Sequence, residues 1–395
     1  MKNFIYISPN FPENHRHFCR QLKDNGFNVL GIGDCEYFNL LPELKSSLTE
    51  YYKVSNLENY DEVFRAVAFF TFRFGKIDWL ESNNEYWLER DARLRREFNI
   101  TSGFMPEDMK RVKFKSAMKA CYKKAGIKTA RYCLATSVNT CKRFIKKVGY
   151  PVVVKPDNGV GASDTHRLTC EEDLKRFFAT KLPITYIMEE YVDATVNSYD
   201  AIVNSEGEPI FETGNVTLGS LMDVVNTGDS SMFYIVNKPF DDVRDAGRRA
   251  LKAFGVKSRF IHFEFFRLNC DQPMGKKGEV VALEVNMRPS GGISPDMMNY
   301  ANSTDVYKIW ADMIAYDSTL RTVGERFYCA FVGRRDGKPY VHGDDEIYAR
   351  YGANMKASQR VAPALSGAMG DRMFIVNFKT LEEVNEFYRF TTLCK

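Results

Sequence analysis

The chain has 395 residues, more than one ordinary hydrophobic core supports, so we expect two or three domains. Its 44% hydrophobic and 27% charged residues are typical of a folded globular protein, and the net charge of +4 gives no reason to expect nucleic acid or an anionic membrane as a partner. Nine scattered cysteines without a C-x-x-C pair predict neither a zinc site nor a disulfide framework. Without a signal-peptide pattern or a long apolar run, the sequence predicts a cytoplasmic protein.

The first 110 residues alternate between predicted strands and helices. "NFIYIS" is a strand, and the helix after it has Phe18 and Leu22 on one face and ends at Gly26. "FNVLGIGD" and "KIDWLES" are further strands, and "NEYWLERDARLRREF" is a helix. This rhythm predicts a Rossmann-like parallel sheet covered by helices. "GIGD" is only a fragment of a dinucleotide fingerprint and does not lead into a helix, so it does not indicate NAD.

The rest of the chain is predicted to mix hairpins with helices. A helix with Phe114, Met118, Cys121 and Tyr122 on its inner side runs to Gly126. "GYPVVVKPDNGVGASDTHRL" predicts two strands joined by a glycine-containing loop, "ITYIMEEYV" another strand, and "SYDAIVNSEGEPIFE" a hairpin. After a helix that ends at Gly255, "SRFIHFEFFRL" and "GEVVALEVNM" are adjacent strands, and a βα-type segment from about residue 321 closes the chain.

Two short stretches are typical of a nucleotide site, although each has an ordinary structural explanation. Lys155 at a strand end, followed by the loop at residues 157–163, predicts a phosphate site because loop N–H groups can surround a phosphate. "DNGVG" is equally typical of a plain hairpin turn. "MEEYV" at residues 188–192 ends a strand whose backbone groups can pair with an adenine edge, or it is a strand terminus with solvated charges.

The stretch "VALEVNMRPSGG" places Glu284, Asn286 and Arg288 on one face of a strand. Leu283, Val285 and Met287 alternate with them on the other face. Glu264 lies on the neighbouring predicted strand, and two facing carboxylates repel unless a cation lies between them. Hard oxygen ligands suit Mg²⁺, so the set predicts a metal site. The alternative is a pair of exposed acids, which the apolar surroundings of Glu264 in "FIHFEFF" make less favourable.

Taken in order, "YPVVVKP", "MEEYV", "HFEFF" and "LEVNMRPSGG" resemble the ATP-grasp enzymes over about residues 1–330, in the group of carboxylate–amine ligases with D-alanine–D-alanine ligase, L-amino acid ligases and biotin carboxylase. The resemblance implies an ATP-grasp fold of α/β and α+β type with an N-terminal Rossmann-like domain. It also implies four parts: an N-terminal domain (1–110), a small subdomain with the phosphate flap (111–193), a large subdomain with the metal site (194–320) and a C-terminal α/β extension (321–395).

The resemblance also implies roles for individual residues. Arg288 and Lys155 are implied to be catalytic. Glu264, Glu284 and Asn286 are implied to bind two Mg²⁺ ions, with Mn²⁺ as an alternative. The residues implied to bind ATP are Lys115, Lys155, Gly159, Val160, Gly161, Ser163, Glu189, Glu190 and Val192. Lys115, Lys119 and Lys123 recur every four residues, so a single solvated helix face is the alternative for Lys115. Val196 stands where related ligases commonly have the acid that binds ribose. Asp193 or Asp200 would have to take the place of that acid.

The implied reaction is the ATP-dependent joining of a small-molecule carboxylate to an amine through an acyl phosphate, by an enzyme compatible with a homodimer. The substrate side is expected to include Gly291, Gly292 and Glu85, and the segment "FETGNVTLGSLMDVVNTGDSSMFY" is expected to line the pocket. For Glu85 the alternative is a helix N-terminus capped by Asn83 or Asn84. Two other functions stay open: a bicarbonate-activating enzyme similar to biotin carboxylase, and an ATP-binding module without turnover.

Overall fold

The computed structural model describes residues 1–159, 164–219 and 228–395. The described strands form three sheets, one parallel and two antiparallel, in chain order. Among the described residues no helix is both long enough and apolar enough to cross a membrane. Short 3₁₀ turns lie at Tyr37–Asn39, Pro106–Asp108 and Gly352–Asn354.

The N-terminal sheet is parallel and has the order β3-β2-β1-β4, as the strand–helix rhythm predicted. Its strands are β1 (Asn3–Ile7), β2 (Asn28–Gly33), β3 (Glu50–Lys53) and β4 (Trp79–Glu81). Its helices are α1 (His15–Asp24), α2 (Pro42–Ser47), α3 (Tyr60–Phe74) and α4 (Leu88–Glu97). Phe18 and Leu22 of α1 are fully buried, so the apolar face that the sequence predicted for this helix is confirmed.

The second sheet is antiparallel, with the order β5-β8-β6-β7. Two helices precede it, α5 (Met109–Lys113) and α6 (Lys115–Lys124). Its strands are β5 (Tyr132–Leu134), β6 (Val152–Pro156), β7 (His166–Leu168) and β8 (Tyr186–Glu190), and its helices are α7 (Val138–Val148) and α8 (Glu171–Thr180). Val152 and Val154 pack under these two helices, so the alternation of β6 turns Lys155 toward the opposite face.

The third sheet is antiparallel and has the order β14-β13-β9-β11-β12-β15-β17-β16, with β10 also paired to β9. Its strands are β9 (Ala194–Val203), β10 (Pro209–Thr213), β11 (Asn215–Leu218), β12 (Ser231–Ile235), β13 (Arg259–Leu268), β14 (Val280–Asn286), β15 (Tyr328–Arg334), β16 (Met355–Arg360) and β17 (Arg372–Phe378). Its described helices are α9 (Asp241–Phe254), α10 (Ser294–Asn302), α11 (Val306–Tyr316), α12 (Asp344–Tyr351), α13 (Pro363–Met369) and α14 (Leu381–Thr392). The last three strands continue the sheet that begins at β9, and the four-part domain division stays a prediction.

Helix α9 lies directly on strand β9. Val243, Ala250 and Phe254 point into the core, and Gly255 ends the helix in the left-handed conformation, as predicted. A Cβ on Gly247 would lie 2.3 Å from the ring of Tyr199, so only glycine permits this approach. This packing against one face of the sheet fixes β9 and the paired strand β13. The polar face of these strands lies on the opposite side.

Candidate active site

Two carboxylates face each other across strands β13 and β14. Glu264 pairs directly with Glu284, and His262 with Asn286. The register shifts after Glu264, so that Phe265 pairs with Ala282 and Leu283 is the extra residue of a β-bulge. The apolar face therefore differs in one position from the predicted one: Ala282, Val285 and Met287 enter the core, whereas Leu283 is half-buried outside the core clusters of the described residues.

Lys115 connects this pair of strands to the second sheet. Its ammonium donates to the carbonyl oxygen of Gly159 (3.1 Å) and lies 3.5 Å from Glu284 Oε2. The start of α6 is fixed because the N–H and hydroxyl of Ser116 both donate to the carboxylate of Asp157, each at 2.7 Å. The predicted residues Lys115, Gly159 and Glu284 are thus neighbours, although they come from three separate segments.

Two further lysines share the carboxylate of Glu189. Lys155 Nζ lies 2.7 Å from Glu189 Oε2, and Lys119 forms an ion pair with Oε1. Burial alone would raise the pKa of Glu189, but the two ammonium groups outweigh burial and lower it to about 2. Burial likewise opposes the charge of Lys155, whose pKa is nevertheless raised by Glu189 and Glu284. Glu189 and Lys155 are therefore both charged at neutral pH.

The helix that contains Lys115 and Lys119 does not present one solvated lysine face. Lys115 and Lys119 are both buried, and only Lys123 of the three is exposed. The alternative reading of this lysine repeat is wrong, because α6 packs Met118 and Tyr122 against the core on one side and meets the charged groups on the other.

A buried histidine lies beside the two carboxylates. His262 Nδ1 is 2.7 Å from Asp200 Oδ1, and His262 Nε2 is 3.3 Å from Glu264 Oε1. Burial would lower the pKa of His262, but Asp200 and Glu264 raise it to about 10. His262 was not among the residues predicted for the site, although its place two residues before Glu264 puts both side chains on one face.

Arg288 and the glycine turn follow the end of β14. Arg288 donates to the carbonyl of Pro289 (2.7 Å) and lies 3.4 Å from Asn286 Oδ1. Asn14 donates to the carbonyl of Gly292 (2.9 Å), so the start of α1 holds this turn. Gly292 has φ of +60°, and a Cβ there would meet Met369 Sδ at 2.7 Å, whereas a Cβ on Gly291 would meet nothing within 4 Å in the described structure.

Other predicted residues lie nearby with different partners. Glu190 is engaged by Arg131 through its backbone N–H (2.6 Å) and its Nε (2.8 Å), and Val192 is buried in a small apolar cluster. Glu85 is buried, with Lys113 Nζ 3.4 Å from its Oε1, and its Oε2 has no hydrogen-bond partner in the described structure. Its alternative reading as part of a helix N-terminus capped by Asn83 or Asn84 is wrong, because α4 begins at Leu88 after Trp87.

Some predictions concern residues outside the described ranges or acids with other partners. Val160, Gly161 and Ser163 lie outside the described residues, as does part of the predicted pocket segment at 220–227. The carboxylate of Asp200 contacts His262, and that of Asp193 accepts from Asn269 (2.9 Å). Both acids that were expected to replace the missing ribose ligand at Val196 are thus engaged by protein groups.

A second group of charges, missed in the sequence, lies where the N-terminal sheet meets β13. Glu81 Oε2 accepts from Arg95 Nη2 (2.8 Å) and from Arg259 Nη2 (2.5 Å). Arg259 Nη1 also donates to the carbonyl of Met287 (2.6 Å), between Asn286 and Arg288. We refer to Glu81, Arg95 and Arg259 as the interface ion cluster. No local motif marks it, because its members come from three distant segments.

The donor set beside Lys115 fits a hard divalent cation. Glu264 and Glu284 are two facing carboxylates, and Asn286 adds an amide oxygen at the end of the same strand. Within residues 1–159, 164–219 and 228–395, no group of three or more His, Cys, Asp or Glu side chains is placed to hold a metal ion. Two carboxylates and an amide are oxygen ligands of the kind that suit Mg²⁺, which usually keeps water and phosphate oxygens in its coordination shell.

A parallel N-terminal sheet, a small antiparallel sheet with a lysine at its strand end, and a larger antiparallel sheet with facing carboxylates make up an ATP-grasp fold. The structure is similar to that of an L-amino acid ligase from Bacillus licheniformis, with a TM-score of 0.72 at 15% identity, covering 98% of this chain and 96% of that chain. It is also similar to the biotin carboxylase domain of the Hydrogenobacter thermophilus 2-oxoglutarate carboxylase, solved as a dimer with MgADP, ADP and bicarbonate (TM-score 0.70, 15% identity, 99% and 89% covered). The predicted fold class is confirmed.

The sequence itself is similar to large chains of carbamoyl phosphate synthases. The arginine-specific chloroplastic large chain of Oryza sativa subsp. japonica is 24% identical over 202 residues, which are 48% of this chain and 16% of that protein. The large chain of Methanosarcina barkeri (strain Fusaro / DSM 804) is 25% identical over 254 residues, 60% of this chain and 22% of that protein. The chain thus matches less than a quarter of the length of these curated relatives. No family model matches it.

Proposed function

We propose that the chain is an ATP-dependent, ADP-forming ligase that activates a small-molecule carboxylate as an acyl phosphate and transfers the acyl group to an amine. The observation that supports this most directly is the position of Lys115. Its ammonium contacts both the carbonyl of Gly159, at the start of the predicted phosphate flap, and Glu284 of the facing carboxylate pair. A triphosphate bound there would reach lysines on one side and a metal-binding carboxylate pair on the other.

Lys115 and Lys155 are proposed to bind the negatively charged phosphate groups of ATP. Lys115 and Lys155 are buried or nearly so and are held in place by Gly159, Glu284 and Glu189, so they are positioned before the nucleotide arrives. Preorganised cations of this kind stabilise a transferring phosphoryl group because they need no rearrangement during the reaction. Glu189, Glu190 and Val192 are proposed to border the adenine, and Val160, Gly161 and Ser163 to belong to the flap.

Glu264, Glu284 and Asn286 are proposed to hold two Mg²⁺ ions, with Mn²⁺ as a substitute. When bound, the metal would neutralise β- and γ-phosphate oxygens and polarise the γ-phosphorus. In the absence of a cation the two carboxylates repel one another, so this face favours binding of a positive ligand. Lys115, 3.5 Å from Glu284, and His262, 3.3 Å from Glu264, each offset part of that repulsion.

Arg288 is proposed to face the reacting groups. An oxygen of the substrate carboxylate attacks the γ-phosphorus, the bond to the β-bridging oxygen breaks, and ADP leaves. The amine nitrogen then attacks the acyl carbon, releases a proton and expels phosphate. Gly291 and Gly292 are proposed to border the substrate, and the unpartnered Oε2 of Glu85 to receive a polar substrate group such as the amine. Small-molecule substrates, a cytoplasmic location and a homodimer belong to the same proposal.

A second candidate is activation of bicarbonate. Both sequence relatives named above are carbamoyl phosphate synthases, and one structural neighbour was solved with bicarbonate. The same lysines and carboxylates would serve this reaction, with bicarbonate in place of an organic acid. An ATP-binding module without turnover is a third candidate, because Val196 replaces the usual ribose acid.

The test is release of ADP from Mg·ATP with three separate supplements: pooled amino acids, pooled carboxylates with an amine, and bicarbonate. Release with an organic carboxylate and amine supports the ligase, release only with bicarbonate supports the second candidate, and no release under any condition supports the third. Glu284→Gln and Asn286→Ala should lower turnover by about 10²–10³-fold. Glu279→Gln, on an exposed residue just before β14, is the matched control. Full Mg²⁺-dependent turnover in Glu284→Gln would overturn the assignment of the site.

A further inference from the structure

Three arginines lie side by side at the end of the third sheet. Arg334 of β15 pairs in register with Arg372 of β17, which pairs in turn with Arg360 of β16. Directly paired residues project to the same face with Cβ atoms about 5 Å apart, and like charges in these positions destabilise a sheet. With Arg335, these residues line a cleft of about 490 Å³, which we call the arginine cleft.

Protein carboxylates compensate only part of this charge. Four guanidiniums and two carboxylates, those of Asp336 and Asp344, line the arginine cleft. Asp344 is shared between Arg334 (3.4 Å) and Arg372 (3.1 Å). Asp336 pairs with Arg360 through two hydrogen bonds, at 2.5 and 2.7 Å, and solvent and salt screen this pair because both side chains are about 60% exposed. With the nearby carboxylate of Asp371 also counted against Arg360, the described residues around the cleft still have an excess of positive charge.

The arginines are held in place by contacts that leave the cleft formed. The guanidinium of Arg334 stacks on the ring of Tyr340, 3.9 Å from its centroid, and donates to the carbonyl of His342 (2.8 Å). Arg335 donates to the carbonyls of Ser366 (2.5 Å) and Gly367 (2.6 Å) near the end of α13. These contacts use the N–H donors of Arg334 and Arg335, so the two residues contribute fixed positive charge to the cleft, whereas exposed guanidiniums can bind oxyanions through paired N–H donors.

The arginine cleft is separate from the candidate active site. A Cβ on Gly333 would point into the backbone of Met369, the residue whose sulfur lies against Gly292. Side chains alternate along a strand, so Arg334 projects to the other face of the sheet. On that face Phe374, Val332 and Ile347 pack together in their own core cluster.

We propose that the arginine cleft is a second ligand site that binds a small polyanion through its phosphate or carboxylate groups. A volume of about 490 Å³ lies within the range of small-molecule sites. The exposed Arg360 and the half-buried Arg372 supply the accessible N–H donors, and Arg334 supplies charge behind them. An oxyanion bound there relieves the repulsion in the arginine row.

The test is isothermal titration of the full chain with tripolyphosphate and, separately, with citrate, which distinguishes phosphate from carboxylate recognition. We expect one equivalent of at least one probe to bind at the arginine cleft, in addition to any tripolyphosphate bound in the candidate active site, with an affinity that falls as NaCl is added. Arg360→Gln and Arg372→Gln should weaken binding at least tenfold. Because Arg360 is exposed, Arg360→Gln should fold even if Arg372→Gln does not. It therefore tests the site by itself.

Two controls separate this site from other sources of binding. Arg350→Gln removes the same charge from an exposed arginine of α12, which is paired with Glu386, and should leave the affinity unchanged. Lys155→Met, in the candidate active site, should remove any additional equivalent of tripolyphosphate bound there and leave the equivalent bound at the arginine cleft unchanged. Binding of the latter equivalent that survives both cleft substitutions, or that disappears in Lys155→Met, would overturn the proposal, and so would the failure of both probes to bind.

Discussion

The interface ion cluster and the charges around Lys115 differ in how completely the protein encloses them. Within the interface ion cluster the side chains of Arg95, Arg259 and Glu81 are 0%, 3% and 7% exposed, and Arg95 also donates to the carbonyls of Leu80 and Phe104, both at 2.9 Å. The side chains of Glu264 and Glu284 are 26% and 17% exposed and face one another. Solvent therefore reaches the carboxylate pair but scarcely reaches the interface ion cluster.

This difference predicts two roles. The interface ion cluster stabilises the contact between the N-terminal sheet and β13, and the carboxylate pair is open to a ligand. A buried ion cluster stabilises a fold only while its partners are complete, because an unpaired buried charge is expensive. The facing carboxylate pair is partly balanced by His262 and Lys115, and a bound cation would remove the remaining repulsion. Substitutions in the two regions should accordingly have different effects, on stability in one and on turnover in the other.

The largest stability effect is expected for Glu81→Gln. It leaves Arg95 and Arg259 buried against a neutral amide, and breaking a buried pair in this way typically costs about 3–5 kcal/mol in free energy of unfolding. Urea denaturation at pH 7 measures it. Glu107→Gln, in an exposed pair with Arg96, is the control and should cost less than about 1 kcal/mol. Equal effects of the two substitutions would contradict the expected difference between buried and exposed ion pairs.

A pH-dependent effect is expected for Glu189→Gln. The folded-state pKa of Glu189, about 2, lies below the ordinary glutamate pKa of 4.5, so its ionised form stabilises the fold above pH 4.5 and this contribution is lost as the pH falls toward 2. The shift corresponds to roughly 3 kcal/mol. The stability gap between wild type and Glu189→Gln should therefore be wide at pH 6–7 and narrow steadily below pH 4.5. A gap that stays constant from pH 6 to pH 3 would show that Lys119 and Lys155 do not hold this carboxylate ionised.

The sequence predicted the architecture because its elements depend on local patterns. The apolar face of α1, the end of α9 at Gly255 and the pairing of β13 with β14 follow from periodicity and glycine positions. Leu283 departed from the predicted face because a β-bulge adds a residue to one strand, and alternation alone gives no sign of a bulge.

The candidate site could be predicted only where its residues lie within recognisable segments. Glu264, Glu284 and Lys155 fall in short motifs, and the structure brings them together as neighbours of Lys115 and Glu189. Lys119 was named only within the alternative of a solvated lysine face, and its burial depends on a contact with Glu189, seventy residues away. Glu81 and Arg259 were missed since they are 178 residues apart and share no local pattern.

Arg259→Lys tests whether the interface ion cluster also positions the candidate site. A lysine retains one positive charge but cannot contact both Glu81 and the carbonyl of Met287 as the guanidinium does. Loosening the segment from Asn286 to Arg288 should lower kcat by about 10–100-fold, since small displacements of positioned groups have effects of this size. KM for ATP should change little because the lysines are untouched. A proportional loss of folded protein with unchanged kcat per folded molecule would assign Arg259 a purely structural role.

The smallest effect is expected for Glu279→Gln, which lies just before β14, the strand of Glu284. Its carboxylate pairs with Lys128 at 2.5 Å, but the two side chains are 39% and 56% exposed. Solvent and salt screen such a pair, so its loss should cost less than about 1 kcal/mol and leave kcat and KM unchanged. Urea denaturation and steady-state ADP release measure both. A tenfold loss of turnover here would mean that charge near β14, rather than the facing position of Glu284, determines activity.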